Sequence, residues 1–222
     1  MTRTVVYSAA LVALVAATAM TLASIIHPNW VSYTVTSPAG DTVYDTIGLH
    51  RRCSSTTNKC VPFPDPARCP GRAGSDGGRA SFCAMWRTTG FLMSFAVVAQ
   101  LAAAVGFLIT MAGGRVKRHG GWRLLAGALL VVAAAQFLGM AVVVGCLRFI
   151  HTYLPPFVDA GDAYLFDHDD FFLVPGYRLD SSWYLCTSSA AVALLAACGL
   201  AIAAAVLPPE DGYLFLGDSG GV

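Results

Sequence analysis

Four long apolar stretches, none of which contains an acidic residue, constrain this chain more than any other feature of its sequence. They cover residues 5–26, 88–112, 124–150 and 183–207. Each is long enough to cross a bilayer as a helix, which needs about 20 apolar residues. Buried helices of a soluble protein would instead carry charges at helical spacing along one face. The pattern therefore predicts an all-α membrane protein, a single tetraspan domain over residues 1–222.

The first stretch has a second interpretation, because a basic start followed by an apolar run and small residues is also typical of a cleavable signal peptide. Here the apolar run continues through Ile25 and Ile26. It therefore extends past the candidate cleavage sites and beyond the usual length of a signal sequence. A retained membrane helix is the favoured interpretation.

Basic residues between the second and third stretches predict the orientation in the membrane. Residues 113–123 contain four basic residues and no acidic one, and short basic loops stay in the cytoplasm. We therefore expect this loop, both termini and the tail at residues 208–222 to be cytoplasmic. Residues 27–87 and 151–182 are then the two outer loops, and Trp86 fits the membrane interface, where tryptophan is enriched.

Four of the seven cysteines lie in the first outer loop, where an oxidising environment favours disulfides. Three pairings are possible, and the most local one joins Cys53 to Cys60 and Cys69 to Cys83. Zinc ligation is the alternative, but the loop has no C-x-x-C and no histidine at ligand spacing. We therefore predict two disulfides and no metal site. The remaining cysteines, predicted to be small apolar residues of the helices, are Cys146, Cys186 and Cys198.

The first outer loop also carries a strand pattern. Val31, Tyr33 and Val35 alternate with polar residues, as in a half-exposed strand. The turn sequence SPAGD follows, and a second alternating run is TVYDTIGLHRRC. A third short strand is predicted at KCVPF. Together these segments predict a small antiparallel sheet on the outer membrane face, fastened by the Cys53–Cys60 disulfide.

Gln100 and Gln136 are the two amide side chains of the apolar stretches. A polar track for an ion would need charged or repeated polar positions, which the stretches lack. A hydrogen bond between helices, worth roughly 0.6 kcal/mol on average, is the favoured interpretation. The alanine and glycine content of the same stretches predicts closely packed helices, because small residues let helix backbones approach in lipid.

The second outer loop is acidic, with six aspartates. The first loop carries seven basic residues against four aspartates, so we expect the two loops to attract each other and to dock as one unit. A cation site at the sequence DHDD is the alternative, but the spacing of a calcium-binding loop is missing. The candidates for a partner interface in this loop are Phe166, Asp169, Asp170, Phe171 and Phe172.

The chain lacks the common nucleotide-binding, metalloprotease and serine-hydrolase motifs, and no stretch contains paired carboxylates. We therefore expect neither enzyme activity nor a cofactor. An enzyme or pore would have to use His50, His151 or the DHDD aspartates, which have no third group to orient them.

A long first outer loop that begins with tryptophan and continues with Gly-Leu-x-x-x-Cys and a second cysteine resembles the claudin superfamily. That group includes claudins, peripheral myelin protein, calcium-channel gamma subunits and fungal claudin-like proteins, and the loops and composition are more similar to the fungal members. His50 stands where the family has tryptophan. The resemblance implies a four-helix bundle with an outer β-sheet. The residues that carry it are Trp30, Gly48, Leu49, His50, Cys53 and Cys60.

The resemblance also implies a function. We expect a non-enzymatic, multi-pass protein of the plasma membrane that acts by protein–protein interaction, organising a membrane domain or adhering to neighbouring cells or the cell wall through its outer loops. Expected partners are membrane lipids and either further copies of the chain or a larger membrane protein, with no role for nucleic acid. The alternative is an auxiliary subunit of a larger channel, transporter or synthase.

Overall fold

The protein is a bundle of four long helices with a small antiparallel sheet at one end. The structure is a computed structural model, and it describes residues 3–36, 42–64, 77–153 and 178–207. Each helix contains a segment long and apolar enough to cross a membrane. The protein is therefore an integral, multi-pass membrane protein, and the predicted fold class is confirmed. The helices are α1 (Arg3–Ile26), α2 (Gly77–Ala112), α3 (Gly114–Tyr153) and α4 (Ser181–Val206).

Two helices extend beyond the apolar stretches from which they were predicted. Helix α2 begins at Gly77, inside the predicted outer loop, and α3 begins at Gly114, so most of the predicted loop at residues 113–123 is helical. The sequence analysis ended each helix where apolar residues end. A helix outside the bilayer satisfies its own backbone groups and needs no apolar side chains, and neither added segment contains a proline that would stop it.

Many of the buried side chains in the bundle are small. Ala17, Ala96 and Ala193 are fully buried, whereas large apolar side chains such as Val12 and Leu195 are about 70% exposed. In lipid an apolar side chain gains little by leaving the surface, and helices associate through close backbone approach. This distribution fits helices that contact lipid on their outer faces.

The sheet has five strands in the order β4-β3-β2-β1-β5, all antiparallel. The segment TVYDTIGLHRRC, predicted as one continuous strand, is divided between β2 and β3 by a turn in which Gly48 N–H donates to the Arg51 carbonyl. The strands are β1 (Val31–Thr36), β2 (Thr42–Ile47), β3 (Arg51–Ser54), β4 (Lys59–Pro62) and β5 (Arg178–Leu179).

Strand β5, which the sequence analysis did not predict, joins the end of the second outer loop to the sheet. It pairs with β1, and Asp180 N–H continues the contact by donating to the Trp30 carbonyl across 3.1 Å. The Asp180 carboxylate caps α4 by accepting from Ser181 N–H at 2.6 Å. The two loops thus meet through backbone hydrogen bonds. The other five aspartates of the second outer loop lie outside the described residues, so the predicted attraction between the two loops stays a prediction.

Candidate functional site

Trp30 connects the sheet to the end of α1. Its side chain is fully buried, and its indole N–H donates to the Ser24 carbonyl across 2.7 Å. In a continuous helix that carbonyl would accept from the residue four positions later, which is Pro28 and has no N–H. The indole therefore supplies the hydrogen bond that the proline removes. Trp30 N–H also donates to the Ile47 carbonyl at 2.9 Å, so one residue links α1 to β2.

Gly48 and Leu49 form the turn between β2 and β3, and the turn is supported from beneath by α2. Trp86 donates its indole N–H to the Leu49 carbonyl at 3.3 Å, and both side chains are at most 2% exposed. A Cβ on Gly48 would lie 2.5 Å from Pro28 Cα, closer than real atoms approach. Trp86 is thus a buried support for the sheet, and its position at the membrane interface stays a prediction.

His50 occupies the exposed corner of the same turn. Its carbonyl accepts from Phe63 N–H at 3.0 Å, and the Phe63 ring packs edge-on against Trp86 with 5.4 Å between ring centroids. The imidazole lies over α2 at Gly90, where an added Cβ would be 3.7 Å from its Cε1 atom. The structure therefore brings three of the predicted motif residues into one buried junction and leaves the fourth, His50, on its surface.

The disulfide between Cys53 and Cys60 is confirmed, and it lies directly across the β3–β4 pair. Cys83, near the start of α2, is buried and also disulfide-bonded. Its predicted partner Cys69 lies outside the described residues, so that pairing stays a prediction. Cys186 is buried and free, and Cys198 is exposed and free.

Strand β4 is the last strand of the sheet on one side, and no other described strand pairs with its outer edge. All four of its residues are exposed. The Cys53 and Cys60 Cα atoms are 4.1 Å apart, the short spacing of a pair that exchanges no backbone hydrogen bonds. Hydrogen-bonded and non-hydrogen-bonded pairs alternate along an antiparallel ladder, so the hydrogen-bonded pairs on either side are those of Val61 and Lys59. The bond from Phe63 N–H to the His50 carbonyl, two positions beyond Val61, follows the same alternation. The backbone N–H and carbonyl of Cys60 therefore point away from β3, toward the outer edge of the sheet.

A separate, polar site lies inside the bundle, and each of the four helices contributes one residue to it. Both predicted amides take part, so the predicted interhelical hydrogen bonds are confirmed. The sequence analysis missed the two hydroxyls that accept them, because single threonines and serines are common in membrane helices and usually bond to their own backbone. This polar node, fully buried throughout, consists of Thr21, Gln100, Gln136 and Ser189.

Each amide of the polar node donates to both hydroxyls. Gln136 Nε2 lies 2.8 Å from Thr21 Oγ1 and 3.1 Å from Ser189 Oγ, and the distances from Gln100 Nε2 are 3.2 and 3.4 Å. The two hydroxyl oxygens are 2.7 Å apart and both lie within hydrogen-bond distance of the Ala17 carbonyl. The node contains no charged group, so its chemistry suits the joining of four helices.

The predicted partner-interface residues of the second outer loop all lie outside the described residues. In the described part of the chain, no three side chains of the metal-ligating types come together. Comparison of the sequence with protein-family models finds no match. Comparison with curated proteins finds none either.

Proposed function

We propose that this integral membrane protein acts without catalysis, by binding other proteins at the membrane through the sheet end of its bundle. In this proposal the sheet faces outward from the plasma membrane, both termini are cytoplasmic, and the protein organises a membrane domain or adheres through its outer loops. The sheet is the part of the described chain that presents unpaired backbone groups on a rigid support.

The exposed β4 edge carries the proposal. Edge strands recruit further strands through their free N–H and carbonyl groups. The disulfide holds β4 in register, so little ordering entropy would be lost on binding. Lys59 and Pro62 at its two ends are residues that limit edge pairing. The edge therefore suits one short, defined contact centred on Cys60 and disfavours open-ended stacking.

Membership of the claudin superfamily is part of the same proposal. It is supported by the joint packing of Trp30 and Leu49 in one buried cluster beneath the sheet. It is also supported by the cross-strand position of the two motif cysteines. His50 on the surface of this junction marks a place where the chain would differ from members that carry tryptophan there.

An auxiliary-subunit role is the second candidate, and a groove between α3 and α4 favours it. The groove has a volume of about 410 Å³ and opens on the outer side of the bundle. Ala141 and Gly145, one helical turn apart, line it, and small residues at this spacing allow close approach of another membrane helix. A larger membrane protein could bind there with one of its own helices.

Site-specific photo-crosslinking tests the proposal and separates its two forms. A photoreactive amino acid replaces Val61, which is 52% exposed on the β4 edge, and the matched control carries it at Tyr44, 54% exposed on the inner strand β2. We expect crosslinks from position 61 and few from position 44. A ladder of homo-oligomers would support self-association, and one large protein at a fixed ratio would support the auxiliary role. The absence of protein crosslinks from position 61 in native membranes would contradict binding through the β4 edge.

A further inference from the structure

A cleft of about 230 Å³ lies where the end of α1 meets the turn between β2 and β3. One wall is apolar and belongs to a membrane-spanning helix, and the other carries two side chains that can donate hydrogen bonds to an anion. The residues that line it are Ile25, Ile26, Pro28, Gly48, Leu49, His50 and Arg51.

The depth of the cleft follows from its apolar wall. Ile26 is the last residue of the span Thr4–Ile26, and its side chain is 71% exposed. The end of a span lies where the hydrocarbon core gives way to the headgroup layer. A lipid beside α1 would therefore place its acyl chain along Ile25 and Ile26 and its phosphate near the turn.

The cationic wall carries a charge, that of Arg51, which no described residue neutralises. Arg52, the next residue along β3, forms an ion pair with Asp45 at 3.1 Å. Arg51 is exposed, and within the described part of the chain it takes part in no ion pair. Its guanidinium can bind two phosphate oxygens at once. The exposed imidazole of His50 offers a further N–H donor on the same wall.

The turn that presents these side chains is rigid. Hydrogen bonds hold the backbone at Gly48, Leu49 and His50, and Gly48 packs against Pro28 with no room for a side chain. A donor on a fixed backbone loses less conformational entropy on binding than one on a mobile loop. The cleft is therefore built before any ligand arrives.

We propose that this cleft binds a glycerophospholipid, with the phosphate at Arg51 and His50 and one acyl chain against Ile25 and Ile26. This goes beyond the proposed protein–protein contacts, which are centred on Cys60 of the neighbouring strand β4. A free phosphate would use only the cationic wall, and an uncharged lipid only the apolar wall. The combination of both walls favours a phospholipid over either.

Native mass spectrometry of the full, delipidated chain in detergent tests the proposal with three probes. These are palmitoyl-oleoyl phosphatidylglycerol, a diacylglycerol with the same chains, and inorganic phosphate. We expect retention of the phospholipid, little retention of diacylglycerol, and no displacement of the phospholipid by millimolar phosphate. Equal retention of diacylglycerol would show simple acyl-chain partitioning, and equal binding of phosphate would show a free-anion site. Either result would overturn the proposal.

Variants locate the binding. Arg51→Gln should weaken phospholipid retention about tenfold, as expected for loss of a charge-assisted hydrogen bond, and Arg51→Lys should restore part of it. Lys59→Gln removes another exposed charge, on β4, and should change nothing. Ile26→Trp places a larger side chain on the apolar wall and keeps the Arg51 charge, and it should also weaken phospholipid retention. Resistance of the Cys53–Cys60 disulfide to mild reductant reports that each variant is folded. Wild-type retention by both Arg51→Gln and Ile26→Trp would refute the site.

Discussion

Gln136 donates its side-chain amide to the Thr21 hydroxyl across 2.8 Å and to the Ser189 hydroxyl across 3.1 Å, which joins α3 to α1 and α4 inside the bundle. Gln100 makes the same two contacts from α2. The amide oxygens of both glutamines are buried, and no described residue donates a hydrogen bond to them. Each amide of the polar node therefore has two hydroxyl acceptors, and either hydroxyl can accept when the other is absent.

This redundancy predicts non-additive mutations. Thr21→Val alone should lower the free energy of unfolding by roughly 0.6 kcal/mol, the average for a hydrogen bond between membrane helices, because Ser189 still accepts from both amides. Ser189→Ala should behave alike. The double variant leaves both amides without an acceptor and should cost more than about 2 kcal/mol. A double-mutant cycle measured by reversible unfolding in mixed detergent checks this, and strictly additive effects would contradict the shared-acceptor arrangement.

Two tryptophans should respond oppositely to the same substitution. Trp30→Phe leaves the Ser24 carbonyl without a donor and should destabilise the fold by about 1–3 kcal/mol. Trp183 has a buried indole N–H that finds no acceptor among the described residues, and its edge-on contact with the Tyr184 ring survives in phenylalanine. Trp183→Phe should therefore be neutral or stabilising. Thermal unfolding of both variants in one detergent tests the contrast, and a larger loss for Trp183→Phe would reverse the assignment.

The sequence was sufficient to predict the four helices, three strand-forming segments and one disulfide, because each depends on a local pattern. Apolar length defines a membrane span, and alternation defines a strand. The split of the second strand at Gly48 was missed, since alternation continues across the turn. The Gly48–Arg51 hydrogen bond and the contact with Pro28 reveal it.

Contacts between distant segments could not be predicted in the same way. Thr21 and Ser189 are 168 residues apart, and neither differs locally from other hydroxyl residues of the spans. Strand β5 has two residues, too few for a periodic pattern. The role of Trp86 depends on a carbonyl 37 positions earlier. In each case the partner is set by tertiary packing, which periodicity does not encode.

A methyl group at Gly48 should be poorly tolerated. The Cβ of alanine would lie 2.5 Å from Pro28 Cα and 3.3 Å from the Arg51 carbonyl oxygen, and backbone atoms cannot move aside without disturbing the turn. We expect Gly48→Ala to cost about 1–3 kcal/mol, as for overpacking of a core. Gly199→Ala is the matched control, because a Cβ there meets nothing within 4 Å, and it should gain up to about 1 kcal/mol of helix stability. Equal melting temperatures for the two variants would show that the turn is not closely packed.

Removal of the β3–β4 disulfide should loosen the sheet edge while the helices persist. The bridge closes a sequence separation of 7, and a loop of that size is worth about 2.5 kcal/mol in the chain-entropy treatment. The double variant Cys53→Ser/Cys60→Ser should therefore be cut by trypsin at Arg51, Arg52 or Lys59 faster than the wild type, and should reach the cell surface less efficiently. Cys198→Ser removes a free, exposed thiol of α4 and serves as the control. If the double variant kept the protease resistance and surface level of the wild type, the disulfide would not be needed to hold β4 in place. The argument that a rigid edge binds other proteins would then lose its basis.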